Sequence, residues 1–293
     1  MAPIGSYDPV EGRLTASSDV VARARQENFP VASHLLPARL RTRLMAIYGF
    51  ARLADDIGDE VDGDRLADLD WLQAELESAY EGHATHPAMR RLSPVLAELK
   101  LNREPFLALI EANRVDQKVR RYETFDDLVG YCMLSAAPVG RLVLDVFRVS
   151  TPSLVPLSDD VCIGLQIVEH LQDVGEDARR GRIYLPQEDM GRFGCRGDDL
   201  LASSASPALR RLVAFEAERA ANLLASGVAL ARQLPMRPRV AVAGFAAGGT
   251  AALAAIRRAD HDVLSANRAP RPLTVARHAI SNMVMSSRIR AAA

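Results

Sequence analysis

The sequence predicts an all-α fold, and three observations support this prediction. Apolar residues recur at steps of three and four along most of the chain, which is the spacing of one face of a helix. No run alternates convincingly between apolar and polar residues, as a half-buried strand would. Only 5% of the residues are aromatic, although aromatic side chains are enriched in strands. We therefore expect one helical domain over residues 21–265, between a loose leader at 1–20 and a basic tail at 266–293.

The apolar spacing predicts individual helices in chain order. One helix carries apolar residues at Leu44, Ile47, Ala51 and Ala54. Another carries the same pattern at Ile163, Ile167, Leu171 and Val174. A third, amphipathic helix is expected over Arg211–Leu234. Breaks are expected where Gly, Pro, Ser or Asp cluster, at Glu81–Pro87, Val149–Ser158, Gly191–Asp199 and Pro235–Pro238.

The uncharged apolar run Val240–Ile256 requires a test against a membrane span. It is short for a spanning helix and consists largely of Ala and Gly, which contribute little transfer free energy. We expect a packed helix of small residues. The tail that follows carries an excess of Arg, which is typical either of a solvated coil or of a segment that contacts anionic lipid headgroups.

The bulk composition limits the classes of function. A hydrophobic content of 48% in 293 residues is enough for a sizeable core. The 36 basic and 37 acidic side chains nearly cancel, so no nucleic-acid partner is expected. Cys132, Cys162 and Cys195 have neither metal-type spacing nor a disulfide framework, and no secretory signal is visible. These features predict a reduced, cytoplasmic location.

Two acidic clusters point to metal chemistry. Asp55 and Asp59 lie four residues apart within one expected helix, and Asp173 and Asp177 lie four apart within another. Residues four apart share a helix face, so each pair of like charges repels. Hard oxygen ligands on a rigid face suit Mg²⁺ that carries a diphosphate. The alternative is that both clusters are solvated helix faces.

Each acidic pair belongs to a longer polar stripe. The first stripe consists of Tyr48, Arg52, Asp55, Asp56 and Asp59, and the second of Gln166, Glu169, Asp173 and Asp177. Two such stripes facing each other across a cavity would form a site for two or three Mg²⁺ ions. Mg²⁺ usually keeps several waters and takes one or two protein carboxylates together with phosphate oxygens. Sparse protein ligation is therefore sufficient if the substrate supplies oxygens.

Basic and aromatic residues accompany these stripes. Arg52 precedes the first acidic pair by one turn, and Arg179, Arg180 and Arg182 follow the second, ahead of Tyr184. Guanidinium groups fork well onto phosphate oxygens, although local ion pairing or helix capping is an equal alternative. Tyr131 is interpreted either as a core residue or as a cavity-lining hydrogen-bond donor. His34 and His170 have no metal partner at ligand spacing, so a structural role is expected for both.

Several segments together resemble the squalene/phytoene synthase family. They are Glu27-Asn28-Phe29-Pro30-Val31, Leu35-Leu36-Pro37, Ile47–Arg52, Asp55–Glu60 and, most specifically, Gln172–Pro186. The resemblance covers roughly residues 25–265. The Glu-Asn-Phe-Pro opening and the segment Leu134–Leu142 are similar to the hydroxysqualene synthase branch of that family. The resemblance implies an isoprenoid synthase helical bundle around a central apolar cavity.

The resemblance also implies roles for residues at matching positions. The metal ligands would be Asp55, Asp59, Glu169, Asp173 and Asp177. The diphosphate would be bound by Asn28, Arg52, Arg179, Arg182 and Tyr184. The residues acting in catalysis would be Tyr48, Arg52, Tyr131 and Gln166. Three positions depart from the usual pattern: Glu169 and Ala137 each replace Asn, and Gln172 replaces Arg.

The resemblance implies a Mg²⁺-dependent prenyl diphosphate lyase or transferase. Presqualene diphosphate would ionise, rearrange and be captured by water to give hydroxysqualene, with two or three Mg²⁺ ions and without NADPH. Tyr131, Glu169 and His170 are candidates for positioning that water. The alternatives are head-to-head condensation to squalene, presqualene diphosphate or phytoene, an all-α nucleotide pyrophosphatase, and a non-catalytic scaffold.

The lipid nature of such a substrate extends these expectations to partners and location. Peripheral contact with the inner face of the membrane would follow from a lipid substrate and a basic tail. Functional coupling is expected with a presqualene diphosphate synthase upstream and a hydroxysqualene reductase downstream.

Overall fold

The computed structural model describes residues 36–265, and these residues are helical apart from their connecting segments. Within this range the sole strand-like pairing is an isolated parallel bridge between Arg121 and Ile183. The all-α prediction is therefore confirmed. The predicted leader, the predicted basic tail and the proposed diphosphate-binding residue Asn28 lie outside the described residues.

The described chain divides into two compact units, with the boundary between Lys118 and Val119. We call them the N-terminal unit, which begins at Pro37, and the C-terminal unit, which also includes Leu36. None of the breaks expected from the sequence falls at this boundary. The single domain over residues 21–265 stays a prediction.

Four helices form the described part of the N-terminal unit. They are α1 (Ala38–Asp59), α2 (Arg65–Glu81), α3 (Pro87–Leu99) and α4 (Glu104–Asp116). The apolar stripe expected from the sequence lies on α1, where Leu44, Ile47 and Ala54 are buried. The core is anchored by the fully buried rings of Phe50 and Phe106, which meet edge to face with centroids 5.1 Å apart.

The C-terminal unit contains six further helices and one short 3₁₀ helix within the described range. They are α5 (Phe125–Ser135), α6 (Ala137–Val146), α7 (Val155–Arg179), α8 (Gln187–Phe193), the 3₁₀ helix Gly197–Leu201, α9 (Pro207–Gln233) and α10 (Met236–Arg258). The long helix α7 packs against α5, α6, α9 and α10. Its predicted apolar stripe of Ile163, Ile167, Leu171 and Val174 is buried, as expected.

Proline marks helix starts rather than gaps in this unit. Helices α7 and α10 begin inside two of the expected breaks, with Pro156 and Pro238 in their first turns. The helix expected from Arg211 begins four residues earlier, at Pro207, where the Ser206 hydroxyl accepts from the amide of Leu209. The first turn of a helix has no internal partner for its N–H groups, so proline costs nothing there.

Helix α10 confirms the expectation of a packed helix of small residues. A Cβ atom on Gly249 would lie 2.7 Å from Cδ2 of Leu165 on α7, so glycine permits close approach of the two helices. By length and composition alone, α10 and the stretch Phe125–Val146 could cross a membrane. However, 67% of the most apolar stretch of α10 and 56% of that in Phe125–Val146 are buried inside the protein, as in ordinary core helices.

Candidate active site

The first acidic pair lies in the last two turns of α1. Asp55 and Asp59 are both exposed, and α1 has no basic residue in its last turn. The helix dipole disfavours negative charge at this end. Asp55 Oδ1 accepts a hydrogen bond of 3.3 Å from Nδ2 of Asn113, a buried residue on α4. An amide from α4 therefore orients one carboxylate of the pair.

Gly58 explains why Asn113 can come so close to α1. A Cβ atom on Gly58 would lie 2.1 Å from the side-chain oxygen of Asn113. The Gly58 carbonyl also accepts a 3.0 Å hydrogen bond from the side chain of Gln117. The glycine inside the acidic motif is therefore a docking point for α4.

Arg52 forms local ion pairs in this structure. Its Nη2 atom lies 2.7 Å from Asp56 and 3.0 Å from Glu60. Tyr48, one turn before Arg52, is half-buried. The local pairing foreseen as an alternative for Arg52 is thus present, and the roles of Tyr48 and Arg52 toward a substrate stay predictions.

The surroundings of Asp55 favour its protonated form. Although Asp55 keeps solvent contact on the helix surface, the protein atoms around its carboxyl desolvate it and raise its pKa to about 7, and the charges of Asp59 and Asp56 act in the same direction. The hydrogen bond from Asn113 and the charge of Arg52 lower this pKa but do not offset the burial. A cation bound beside Asp55 would favour the ionised carboxylate, which the surrounding protein disfavours.

The second acidic pair lies in the last two turns of α7. Asp173 is exposed and Asp177 is half-buried, and Glu169 is exposed one turn earlier. Burial, followed by the charge of Asp173, raises the pKa of Asp177 to about 7. The nearby guanidinium of Arg182 lowers the pKa of Asp177 without offsetting these effects. The predicted repulsion within the pair is therefore visible at Asp177.

The segment after α7 is held by backbone hydrogen bonds. Gly181 turns the chain with a φ of 79°, a left-handed conformation that favours glycine. The Ile183 amide then donates to the Arg120 carbonyl over 2.9 Å, and the Gln187 amide donates to the Tyr122 carbonyl over 2.9 Å. This pairing places Arg182 and Tyr184, both buried, at defined positions beside Asp177 and the end of α5.

Four rings of the C-terminal unit form what we call the aromatic cluster, which consists of Tyr122, Tyr131, His170 and Tyr184. The imidazole of His170 stacks on Tyr184 with centroids 3.8 Å apart and planes at 11°. Tyr131 lies 5.7 Å from Tyr184 and 5.4 Å from Tyr122. Electron-rich ring faces gathered in this way can stabilise a nearby cation.

His170 contributes nitrogen atoms to this cluster. Its Nε2 lies 3.4 Å from the side-chain amide nitrogen of Gln166, one turn earlier on α7. Burial lowers the pKa of His170 to about 3, so the imidazole is neutral. The expectation that His170 is structural agrees with its packing, but the residue is half-buried and retains accessible surface.

The donor set fits Mg²⁺ that brings additional ligands. Within residues 36–265, no three His, Cys, Asp or Glu side chains are arranged to hold a metal ion by themselves. Each motif instead offers a pair of carboxylates at the negative end of a helix, where local electrostatics disfavours them. Mg²⁺ commonly takes one or two carboxylates and completes its shell with water and phosphate oxygens. The metal roles of Asp55, Asp59, Glu169, Asp173 and Asp177 stay predictions.

Some features of the site were not found from the sequence. Asn113 and Tyr122 were missed because their contacts, to Asp55 and to the aromatic rings, join positions far apart in the chain. The four-residue spacing of Asn113 and Gln117 on α4 was a usable signal. Arg179 was grouped with Arg182 as a diphosphate ligand, but Arg179 is exposed and Arg182 is buried.

Comparison with known proteins confirms the family resemblance. The family model described as squalene/phytoene synthase matches residues 22–275, a range that includes both acidic motifs and the aromatic cluster. Hydroxysqualene synthase from Rhodopseudomonas palustris is 42% identical over 214 residues, which are 72% of each chain.

Solved structures agree with this match. The squalene synthase HpnC from Alicyclobacillus acidocaldarius is 42% identical, with a TM-score of 0.77 over 83% of this chain and 94% of that one. A dehydrosqualene synthase is 26% identical, with a TM-score of 0.82 over 91% of this chain and 93% of that one. The predicted isoprenoid synthase helical fold is therefore confirmed.

Proposed function

Because the chain belongs to the squalene/phytoene synthase family and is an enzyme of that type, we propose that it converts presqualene diphosphate into hydroxysqualene and diphosphate. The observation that carries this proposal is the pair of acidic motifs, each with two aspartates four residues apart near the end of a helix, where the surroundings raise the pKa of one of them. The relative named hydroxysqualene synthase supports the choice of reaction within the family.

In this proposal the acidic motifs would bind two or three Mg²⁺ ions, which would neutralise the charge of the substrate diphosphate. Asp55 and Asp59 are the ligands from α1, and Glu169, Asp173 and Asp177 are the ligands from α7. Bound Mg²⁺ neutralises charge on the diphosphate oxygens and so makes diphosphate a better leaving group. The raised pKa of Asp55 and of Asp177 supports this assignment, because a cation relieves the unfavourable ionisation of both groups.

The remaining residues act on the diphosphate and on the cation left behind. Arg182 is buried beside Asp177, where a guanidinium can donate to the departing diphosphate. Tyr131 and Tyr184 present ring faces within the aromatic cluster to the carbocation. No NADPH is needed, since the net change is replacement of diphosphate by hydroxyl.

Product analysis tests this proposal directly. Purified protein is incubated with Mg²⁺ and either presqualene diphosphate or farnesyl diphosphate, and products are identified by mass spectrometry. We expect hydroxysqualene from presqualene diphosphate, with its oxygen taken from H₂¹⁸O when that solvent is used. Consumption of farnesyl diphosphate alone would instead assign a head-to-head condensation to squalene, presqualene diphosphate or phytoene.

We also propose peripheral contact with the inner membrane surface and coupling to a presqualene diphosphate synthase and a hydroxysqualene reductase. The physical reason is that substrate and product partition into lipid. Flotation with vesicles of anionic phospholipid at low salt tests the contact, and failure to float would contradict it. To test the coupling, the three enzymes are combined and the flux to product is measured. Coupling predicts a faster flux than when presqualene diphosphate is supplied to this enzyme at the same bulk concentration.

A further inference from the structure

The proposed reaction needs one group that the acidic motifs do not supply. Water must reach a carbocation that is surrounded by apolar and aromatic side chains, and it must arrive in a defined orientation. A hydrogen-bonding group at the edge of the aromatic cluster would hold such a water. Tyr131, Glu169 and His170 are the candidates that the sequence offers.

The structure separates these three candidates. Glu169 is exposed on α7, on the polar stripe that leads to Asp173. Tyr131 is 7% exposed and packs against the other three rings of the cluster. His170 combines both requirements, because its ring is stacked within the cluster while the residue retains accessible surface.

The contact with Gln166 defines which nitrogen of His170 would meet the water. The amide nitrogen of Gln166 is a donor, so this contact is a hydrogen bond in the tautomer in which Nε2 of His170 accepts and Nδ1 carries the ring proton. Among the described residues, Nδ1 has no hydrogen-bond partner. Nδ1–H is therefore the group able to donate to a water oxygen, and the second lone pair of that oxygen stays available for attack.

We propose that His170, oriented by Gln166, is the positioning residue for the water that captures the carbocation; this inference depends on the proposed function. The bond between carbon and the diphosphate oxygen breaks, and diphosphate keeps the electron pair. A lone pair of water forms the new carbon–oxygen bond, and the proton that water loses passes to the released diphosphate. His170 neither gains nor loses a proton in this role, which is to orient the water.

Two substitutions at position 170 separate hydrogen bonding from ring packing. His170→Phe keeps an aromatic ring beside Tyr184 and removes both nitrogens, whereas His170→Gln keeps a donor and an acceptor and removes the ring. The measurement is the ratio of hydroxysqualene to diphosphate released from presqualene diphosphate. This ratio reports only on molecules that turn over, so a loss of folded protein does not change it.

We expect His170→Phe to lower the ratio by about three- to tenfold, the effect of one hydrogen bond, while hydrocarbon elimination products increase. We expect His170→Gln to stay within about twofold of wild type, because it still donates a hydrogen bond. An unchanged ratio in His170→Phe overturns the inference, and a loss confined to His170→Gln would show that position 170 supplies ring packing instead. An equal loss in both variants also overturns it, because the donor kept by His170→Gln would then not preserve water capture. A wild-type enzyme that makes no hydroxysqualene overturns the proposed function itself, and the inference with it.

Discussion

The two acidic motifs have the same spacing but different surroundings. On α1 the first aspartate, Asp55, has the raised pKa, and a neutral amide from Asn113 is hydrogen-bonded to it. On α7 the last aspartate, Asp177, has the raised pKa, and the charged group beside it is Arg182. Helix α7 also carries Arg179 in its last turn, whereas α1 has no basic residue there.

Under the proposed function, this difference predicts different parts for the two motifs in holding a diphosphate. The positive charge beside the α1 motif is Arg52, which is already paired with Asp56 and Glu60, and the last turn of α1 adds no basic residue. We therefore expect the α1 motif to depend more on a bound cation. The α7 motif is followed at once by arginine side chains that can bind phosphate oxygens directly. We therefore expect substitutions in the two motifs to differ in how far added Mg²⁺ restores activity.

The largest expected effect comes from neutralising one aspartate in either motif. Asp55→Asn and Asp173→Asn should each lower the rate of diphosphate release by at least about 100-fold, since each removes a carboxylate proposed to bind the cation. Raising Mg²⁺ should restore less activity in Asp55→Asn, because the α1 motif has no arginine in its last turn. Release of diphosphate from presqualene diphosphate is measured across a Mg²⁺ series.

The exposed Asp126 at the start of α5 provides the matched control, and Asp126→Asn should turn over at the wild-type rate. Retention of full activity in either motif variant would contradict the metal assignment. Equal restoration by Mg²⁺ in both would contradict the difference drawn between the motifs.

The second effect distinguishes two arginines that the sequence grouped together. Arg182→Gln should lower diphosphate release by about 30-fold, because a buried guanidinium that binds the leaving group, as we propose for Arg182, is worth roughly 2 kcal/mol. Arg179→Gln should lower it by about threefold or less, since its exposed charge is screened by water. Single-turnover rates of the two variants, at saturating substrate, are the measurement.

A larger loss in Arg179→Gln than in Arg182→Gln would reverse this ranking. Circular dichroism of each variant checks that the segment after α7 keeps its structure.

The third effect concerns the glycines inside the two motifs. Gly58→Ala should destabilise the protein by about 1–2 kcal/mol, because its new Cβ would overlap the Asn113 side chain. Gly175→Ala should cost less, since its Cβ would lie 3.1 Å from a methyl group of Leu264, which has more freedom to move. Chemical denaturation measures the free energy of unfolding of each variant.

Gly49 on α1 is the control for helix propensity. No atom lies within 4 Å of a Cβ placed there, so Gly49→Ala should stabilise by about 0.5–1 kcal/mol. A Gly58→Ala variant as stable as Gly49→Ala would show that Asn113 is free to move away from α1.

The smallest expected effect is on the pH dependence of stability, and it concerns the carboxylates of Glu216 and Asp189, which both pair with Arg219. Glu216 on α9 is buried, and burial followed by the charge of Asp189 raises its pKa to about 8, although Arg219 lies 3.0 Å from it. The folded state thus retains a proton that the unfolded chain releases above its ordinary pKa of 4.5. Glu216 therefore contributes its full stabilisation of the folded state below pH 4.5, and this contribution is lost as the pH rises through about 8.

Glu216→Gln should therefore gain stability over wild type as the pH rises from 5 to 6, by about 1 kcal/mol. Denaturation at the two pH values measures the difference. Glu218→Gln, an exposed neighbour on α9, should show no such gain. A Glu216→Gln variant that tracks wild type at both pH values would show that Glu216 is ionised when folded.

The local parts of this molecule were predictable and the long-range parts were not. The apolar stripes of α1 and α7 follow directly from residue spacing, as does the sharing of one helix face by Asp55 and Asp59. The contact of Asn113 with Asp55 joins positions 58 residues apart, and no local pattern specifies it. The expected break at Val149–Ser158 extends too far, because Pro156 lies in the first turn of α7. Proline occurs both in breaks between helices and at helix starts, so its presence alone does not tell the two apart.

The family resemblance supplied what spacing alone could not. Gln166 and Tyr131 are ordinary helix residues by periodicity, and matching to the family motif was the reason to select them. Neither residue spacing nor the family resemblance predicts the stacking of His170 on Tyr184, because this contact depends on how the segment after α7 returns to α5.

Main-chain hydrogen bonds join residues 183–188 to residues 120–123. The amides of Ile183, Gln187 and Glu188 donate to the carbonyls of Arg120, Tyr122 and Glu123. Main-chain contacts survive exchange of the side chains they carry. A saturation library at Tyr122 and Tyr184 would therefore vary the chemistry of the cluster on an unchanged frame. Altered product profiles from such a library would report on the side chains of the cluster rather than on a shifted main chain, which makes these two positions good starting points for redirecting the enzyme to new terpenoid skeletons.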